Sequence, residues 1–283
     1  MNIITNFKHI IKQTFIWTLR IYSIIGILCF FVNIQDLLNN EWTFIKKIAV
    51  SIFIFVILFL IMLIATSLVY GLFIRKVKRI STGNKNSVYL CYGDIFKFKR
   101  KEQRNIIISV NRCFDTEIDN HLISEKSLHG QLFKKLYESN YTVNSLNTKF
   151  QDILAERGYS YKQLSTSEKP QGNLKRYEIG SIVEFKEKLA NYFLLGLTSM
   201  DKELTAHTTL NEYIYSINKL IDYCYAHSQG FPIIMPLIGG GFARVGIKDK
   251  DILQLILDLL EINKSKIISD WYIIVNSNIS ITN

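Results

Sequence analysis

The segment best suited to bind an anion is a glycine triplet late in the chain. Gly239, Gly240 and Gly241 directly follow an apolar run, and a helical pattern begins soon afterwards. Glycines allow positive φ and close backbone approach, so successive N–H groups can point at one anion. Phe242 follows, and Arg244 would add a charge-assisted contact. The spacing matches neither a dinucleotide-binding fingerprint nor a P-loop, and a flexible turn is the ordinary alternative for such a loop.

Two other polar segments follow apolar runs earlier in the chain. Asp94 and Ile95 come after the first predicted strand, and Asn111 ends the second. Ligands of open α/β sheets bind where the carboxyl ends of strands meet the amino ends of helices. We therefore expect these residues near the glycine triplet. Taken singly, Asp94 could instead cap a backbone N–H in a turn, and Asn111 could be an ordinary strand-end turn former.

The elements that must position these residues alternate along the chain. Short apolar, β-branched and aromatic runs predict strands at 88–92, 106–111, 177–184, 192–198, 232–238 and 271–275. Patterns of helical period predict helices at 129–139, 145–157, 210–227 and 249–262. This alternation predicts an α/β fold, with a mixed sheet covered by helices on both faces.

A different pattern precedes this domain. Residues 48–74 carry no charge, and as a helix of about 27 residues they would reach roughly 40 Å, enough to span a bilayer. Residues 15–37 form a second candidate span if Arg20 lies at the interface. No small-residue cleavage site follows, which disfavours a signal peptide. We predict a transmembrane helical hairpin in residues 1–79, a linker at 80–86 and a domain at 87–283.

Charge sets the orientation and excludes one class of partner. Of the 34 basic and 24 acidic residues, 9 and 2 lie in the first 80 residues, around the apolar runs. By the positive-inside rule, the N-terminus and the domain are cytoplasmic. Because the remaining residues are nearly balanced in charge, nucleic-acid binding is a poor interpretation. The four cysteines form no C-x-x-C pair, so we predict no metal site and no disulfide framework.

Three short motifs together resemble the macro domain, an α/β module that binds ADP-ribose. They are Gly-Asp-Ile after the first strand, Val-Asn at the end of the second, and Pro-Leu-Ile-Gly-Gly-Gly late in the chain. The resemblance implies that Asp94, with Ile95, receives the adenine amino group. It implies that Asn111 faces the distal ribose. Residues 239–241 with Phe242 would hold the diphosphate.

One segment departs from that family's pattern. Macro domains usually follow Val-Asn with Ala-Ala-Asn and a run of glycines, whereas residues 112–132 here are long, charged and poor in glycine. The departure implies a pocket for a group attached to the distal ribose. The polar candidates in this segment are Asp115, Glu117, Asp119, His121 and His129.

The two apolar runs combined with this altered domain resemble the membrane-anchored macro-domain effectors of Thoeris anti-phage systems. In that family a TIR-domain partner makes an ADP-ribose-derived messenger from NAD. The resemblance implies that the effector binds this messenger, here histidine-linked ADP-ribose, and needs no other cofactor. It then self-associates and disrupts the bacterial cell membrane through its multi-pass anchor, which arrests or kills the infected cell.

Two other functions stay open. A membrane-tethered ADP-ribosyl hydrolase would need a positioned water and an amide or acid near the anomeric carbon, for which Asn111, Asp115 and His129 are candidates. No independent catalytic motif is present, so we predict a binding protein rather than an enzyme. A passive scaffold is the third possibility. The hairpin itself could be a plain anchor or part of an oligomeric channel.

Overall fold

The computed structural model describes residues 7–31, 44–69, 76–82, 85–99, 101–239 and 246–275. The chain divides into two compact units, which we describe separately. One comprises Met1–Val77 with Asn276–Asn283, and the other is Lys78–Val275.

The first unit contains two helices, α1 (Phe7–Phe31) and α2 (Phe44–Leu68), which pack against each other. Polar contacts join them at two levels. The hydroxyl oxygens of Thr14 and Thr66 lie 2.6 Å apart, and the Tyr22 hydroxyl contacts that of Ser51. Hydroxyl pairs of this kind are typical of the contacts between neighbouring helices in membranes.

Only one stretch among the described residues, Ile48–Leu68, is long and apolar enough to cross a membrane. It lies within the second predicted span, 48–74. The first predicted span, 15–37, falls partly in α1 and partly outside the described residues, and the described part does not meet the same criterion. By length and composition, the described residues thus contain one candidate span, and the two-helix transmembrane hairpin stays a prediction.

The second unit contains an eight-stranded sheet, whose first strand begins two residues earlier at Lys76, and a separate two-stranded hairpin. The strands are β1 (Lys76–Ser81), β2 (Ser87–Tyr92), β3 (Arg104–Asn111), β4 (Tyr161–Gln163), β5 (Lys175–Tyr177), β6 (Ile182–Glu187), β7 (Ala190–Met200), β8 (Ala206–His207), β9 (Ile233–Pro236) and β10 (Trp271–Val275). The helices are α3 (Leu128–Tyr137), α4 (Val143–Glu156), α5 (Leu210–His227) and α6 (Asp249–Ile262).

The strand order in the main sheet is β1-β2-β10-β9-β3-β7-β6, with β8 paired to β7. Strands β2, β10, β9, β3 and β7 are parallel, whereas β6 and β8 run antiparallel to β7. The predicted mixed sheet is thus confirmed. Because the five central strands are parallel, their carboxyl ends lie at one edge of the sheet, where the polar segments follow them.

Helices cover both faces of the sheet. On one face, α3 and α4 contribute Phe133 and Phe150 to a core that also contains Ile106 and Ile108 of β3. Side chains alternate along a strand, so neighbouring residues face the other side. There α5 packs against β7, with the ring of Tyr223 5.2 Å from that of Phe193. This alternation explains why the strands read as continuous apolar runs.

The structure corrects two details of the sequence prediction. The predicted strand 177–184 is two strands in different sheets, because the chain turns at Gly180, whose φ is +76°. Strand β1 begins at Lys76 and extends into the predicted linker 80–86. Strands β4 and β8 were not predicted, since each is too short to show the alternation of apolar and polar residues that marks a strand.

Candidate functional site

A cleft of about 440 Å³ opens at the carboxyl ends of β3, β7 and β9. Its first wall belongs to residues 109–111 and 120–129, which lead from the end of β3 to the start of α3; all of them except Glu125 line the cleft. Its second wall belongs to residues 198–206, which lead from the end of β7 to β8; of these, Thr198, Met200 and residues 204–206 line the cleft. The floor is formed by Pro236, the last residue of β9, and by residues 237–239, which follow it. The cleft thus lies at the sheet edge where the sequence predicted a binding site.

The cleft lining has one sign of charge. None of its described residues is an aspartate or a glutamate, and Lys126 is the one lysine among them. The other polar residues of the described lining carry hydroxyl, amide or imidazole side chains, among them Asn111, Ser124, Thr198 and Thr205. Glu125, Asp201 and Glu203 belong to the wall segments but are not among the described lining residues, so the lining itself suits an anionic ligand.

Asn111 lines the cleft and also shapes it. The side chain is 5% exposed, and its Oδ1 accepts hydrogen bonds from the N–H groups of Cys113 at 3.1 Å and Asp115 at 3.4 Å. It therefore turns the chain out of β3, as a strand-end turn former does. The two functions considered for Asn111 from the sequence are compatible in this geometry.

The first wall is held by a buried ion pair that no motif in the sequence indicates. Asp115 is 1% exposed, and its Oδ2 lies 3.0 Å from Nζ of Lys169, which is fully buried. Lys169 also donates to the main-chain oxygens of Gln171 at 2.5 Å and Asn173 at 3.0 Å. Burial raises the pKa of Asp115, and the ammonium of Lys169 opposes that shift. Asp115 was expected in the pocket, but it does not line the cleft, because Lys169 encloses it.

Lys169 belongs to a segment that we call the brace, residues 164–174. From it, Asn173 donates its N–H to Oδ1 of Asp115 at 2.6 Å and its side-chain amide to the main-chain oxygen of Cys113 at 3.2 Å. Gln171 donates to Oδ2 of Asp119 at 2.7 Å. These contacts join segments about fifty residues apart, so no local pattern could reveal them.

Asp119 and Glu117 also differ from their expected positions. Neither is among the described residues of the cleft lining. Oδ1 of Asp119 accepts from the N–H groups of His121 at 2.8 Å and Leu122 at 2.7 Å, so the carboxylate folds its own loop. His121 does line the cleft, as predicted.

His129 lies in the first turn of α3 and lines the cleft. It is 7% exposed, and its ring packs edge-to-face on Phe133 at 4.3 Å. Burial lowers the pKa of His129 to about 3, although a hydrogen bond to the main chain of Asp115 opposes the shift. The imidazole is therefore neutral at physiological pH. Its Nε2 has no hydrogen-bond partner in the described part of the chain.

The second wall is folded by local contacts. Oδ1 of Asp201 accepts from the N–H groups of Glu203 at 2.9 Å and Thr205 at 2.8 Å, and its Oδ2 lies 2.6 Å from Nε2 of His207. Leu204 takes a positive φ of 55° within this turn. The wall lies at the end of a predicted strand, yet its residues form no motif, so no pattern in the sequence marks them.

Comparison with known proteins supplies the family. Residues 88–276 match the family model described as the macro domain of Thoeris protein ThsA. The chain belongs to this family. Its sequence is 27% identical over 188 residues to the Thoeris protein ThsA of Bacillus amyloliquefaciens (strain Y2). That match spans 65% of this chain and 59% of the relative.

Two solved structures are also similar. A macrodomain mutant from Oceanobacillus iheyensis is 14% identical, with a TM-score of 0.39, covering 71% of this chain and 89% of that one. A protein from Bacteroides thetaiotaomicron is 13% identical, with a TM-score of 0.34, covering 68% and 99%. Membership in the ThsA macro-domain family rests on the sequence match rather than on these two structures.

The residues that resembled the adenine end of a macro-domain site lie just after β2. Oδ1 of Asp94 accepts from the N–H of Phe96 at 2.9 Å, and its Oδ2 lies 3.6 Å from Nζ of Lys97. Ile95 is buried in the core. Neither is among the described residues of the cleft lining. In the structure, Asp94 therefore makes the turn contact that was its alternative explanation.

The glycine triplet is only partly described. Gly239 lines the cleft with a φ of +101°, a conformation that favours glycine. Gly240, Gly241, Phe242 and Arg244 lie outside the described residues. The expected diphosphate contacts of this loop stay predictions.

Proposed function

We propose that the cleft binds an ADP-ribose-derived messenger and that the protein acts as a Thoeris defence effector. The observation that carries this proposal is a cleft with no carboxylate in its described lining, placed at the carboxyl ends of the parallel strands in a ThsA macro-domain protein. The diphosphate is the most negatively charged group of such a ligand. A lining without carboxylates and a neighbouring glycine triplet both suit the binding of a diphosphate.

The parts of the ligand follow the order of the motifs. The adenine would lie towards Asp94 and Ile95, and the diphosphate against residues 239–241, with Phe242 and Arg244 near by. The distal ribose would face Asn111. A group attached to that ribose, histidine in the implied messenger, would extend between the first and second walls.

The membrane step is part of the same proposal. A TIR-domain partner would produce the messenger from NAD, and its binding would favour contacts between protomers. A hundredfold shift in assembly requires about 2.7 kcal/mol of differential affinity, within reach of a few charge-assisted hydrogen bonds. Tethering at one bilayer raises the local concentration of protomers. Assembled helices would then disrupt the membrane and arrest or kill the infected cell.

The anchor in this proposal is the helical hairpin of residues 1–79. Its spans would be residues 15–37 and 48–74, with residues 80–86 linking it to the domain at 87–283. The N-terminus and the domain would lie in the cytoplasm. The apolar stretch Ile48–Leu68 and the basic residues that flank the apolar runs support this arrangement.

The buried environment of Asp115, the carboxylate that was a candidate for catalysis, favours binding over hydrolysis. A hydrolase would use an accessible carboxylate to activate water, but Asp115 is enclosed by Lys169 and the N–H of Asn173. His129 is held neutral, and Oδ1 of Asn111 already accepts main-chain bonds. These contacts support a receptor rather than an enzyme.

The binding proposal is tested by calorimetry on the full chain in detergent. Histidine-linked ADP-ribose should bind the wild type, and Ala206→Trp should abolish binding, because Ala206 lines the cleft. Ala155→Trp adds the same bulk at an exposed position of α4 and should bind normally. Equal affinities for the two variants would contradict the assignment of the cleft.

Assembly and turnover are measured on the same sample. Size-exclusion chromatography should show a larger species when histidine-linked ADP-ribose is added to the wild type but not to Ala206→Trp. Mass spectrometry should find the ligand intact after prolonged incubation. Multiple turnovers would instead favour the hydrolase.

A further inference from the structure

Strand β6 is one edge of the main sheet, because it pairs with β7 on one side only. The N–H of Gly196 donates to the main-chain oxygen of Ser181 at 2.8 Å, which sets the alternation of the ladder. In an antiparallel pair, every second residue exchanges both hydrogen bonds with the partner strand. Counted from Ser181, the N–H and C=O groups of Glu184 and Lys186 therefore point away from β7. No described segment of the chain pairs with them on that side.

This edge is open over a short stretch, residues 184–186. Ile182 is 1% exposed, so the strand is covered at its start, whereas Lys186 is exposed. The side chain of Glu184 is 20% exposed, and its carboxylate is fixed by the side chains of Asn191 at 2.7 Å and Arg157 at 3.2 Å. Because side chains alternate along a strand, Glu184 and Lys186 lie on the same face of the sheet. The open stretch thus presents main-chain donors and acceptors beside one acidic and one basic side chain.

The charges of this stretch are complementary to themselves about one two-fold axis. If β6 of a second copy pairs with it antiparallel, the axis must pass through residue 184, 185 or 186, because only outward-facing groups can exchange hydrogen bonds. An axis at 184 or 186 places like charges opposite each other, which is destabilising. An axis at Phe185 places Glu184 opposite Lys186 of the second copy, and Lys186 opposite Glu184 of that copy. Charge complementarity therefore favours a second copy in this one register.

We propose that β6 is a self-association edge, to which a second copy of this chain adds its own β6 in antiparallel pairing about Phe185. Glu184 and Lys186 would exchange about four main-chain hydrogen bonds with Lys186 and Glu184 of the second copy. So short an edge gives a weak contact, which suits protomers that are concentrated at one bilayer and separate elsewhere. This inference rests on the assembly step of the proposed function and names the surface that makes the contact.

The first test is chemical cross-linking of the full chain in detergent with saturating histidine-linked ADP-ribose. In the proposed register, the two copies of position 186 are diagonal neighbours about 7–8 Å apart. Lys186→Cys should therefore cross-link to itself with a bismaleimide of similar length, above the background of the wild type. Lys188→Cys is the matched control at an exposed position of the same hairpin, because the two copies of position 188 would lie about 20 Å apart along the strands. Equal cross-linking of the two variants, or none in either, would overturn the edge pairing.

The second test reverses one charge. Lys186→Glu replaces two opposite-charge pairs by two like-charge pairs, so size-exclusion chromatography should show that assembly needs about tenfold more protein. Calorimetry should find an unchanged ligand affinity, because Lys186 is not part of the described cleft lining. Lys101→Glu makes the same change of charge at an exposed turn and should assemble like the wild type.

The outcomes separate this inference from the proposed function. Assembly of Lys186→Glu at the wild-type concentration would overturn the edge pairing and leave the proposed function in place. A wild type that stays monomeric with the ligand would overturn the edge pairing and the assembly step together, and calorimetry on the same sample would show whether messenger binding still stands.

Discussion

The two walls of the cleft are built by different means. The first wall depends on residues far away in sequence, because the brace at residues 164–174 holds it through the buried pair of Lys169 and Asp115. The second wall, residues 198–206, is folded by Asp201, which bonds N–H groups within its own turn. Long-range contacts couple the first wall to global stability, whereas local contacts leave the second wall nearly independent of it.

Substitutions in the two walls should therefore have different effects on stability and on binding. Substitutions that disturb the first wall should reduce stability and binding together. Substitutions in the second wall should change binding with little effect on stability. The following predictions test that contrast, beginning with the largest effect.

Loss of the buried ion pair should have the greatest effect on stability. Lys169→Met leaves the carboxylate of Asp115 buried without its cation, which should lower the free energy of unfolding by about 3–5 kcal/mol. Urea unfolding of the full chain in detergent measures this change. Lys162→Met removes an exposed ion pair with Glu168 and should unfold like the wild type. Similar midpoints for the two variants would show that the brace does not hold the wall.

A methyl group in the brace should have the next largest effect. Gly172 has a φ of +80°, and a Cβ there would lie 2.3 Å from Oδ1 of Asp115. Gly172→Ala should therefore cost roughly 2–4 kcal/mol from backbone strain and overpacking together. Gly158 shares the positive φ, at +67°, but has open space around it. Gly158→Ala should cost only about 1 kcal/mol of strain, and an equal loss in both variants would contradict the close packing.

The buried imidazole of the first wall predicts a pH dependence. The pKa of His129 is lowered from 6.5 to about 3, so the unfolded chain binds the proton more readily between these values. The free energy of unfolding should therefore fall as pH is lowered below 6.5, by about 1.4 kcal/mol per pH unit from this residue.

Thermal unfolding between pH 7 and pH 5 tests this prediction. His129→Gln should flatten the pH dependence relative to the wild type. His121→Gln, at an exposed position of the same wall, should leave it unchanged. Parallel curves for all three proteins would mean that His129 does not titrate as its burial requires.

The second wall should give the smallest change in stability. Asp201→Ala removes the acceptor for the N–H groups of Glu203 and Thr205, and should cost about 1 kcal/mol or less because water can reach the turn. Affinity for histidine-linked ADP-ribose should nevertheless fall severalfold. Glu203→Ala, an exposed neighbour, should alter neither quantity. Unfolding comparable to that of Lys169→Met would break the contrast between the walls.

The sequence by itself determined most of the sheet and the helices that cover it. The predicted bounds of the helix at 210–227, the helix at 249–262 and the strand at 271–275 match those of α5, α6 and β10. These elements are long or strongly apolar, so a short stretch of sequence is enough to show their pattern of apolar residues. The motif order also placed Asn111 and Gly239 at one sheet edge, because parallel strands end together.

Only the tertiary structure decided which polar residues face the cleft. Asp115 and Asp119 looked like ligand contacts in sequence, yet the brace and the first wall use both carboxylates internally. Lys126 and the second wall carried no motif, yet both line the cleft. The reason is physical: a carboxylate binds whichever cation or N–H the fold brings to it, and contacts such as that between Asp115 and Lys169 form only when distant segments pack.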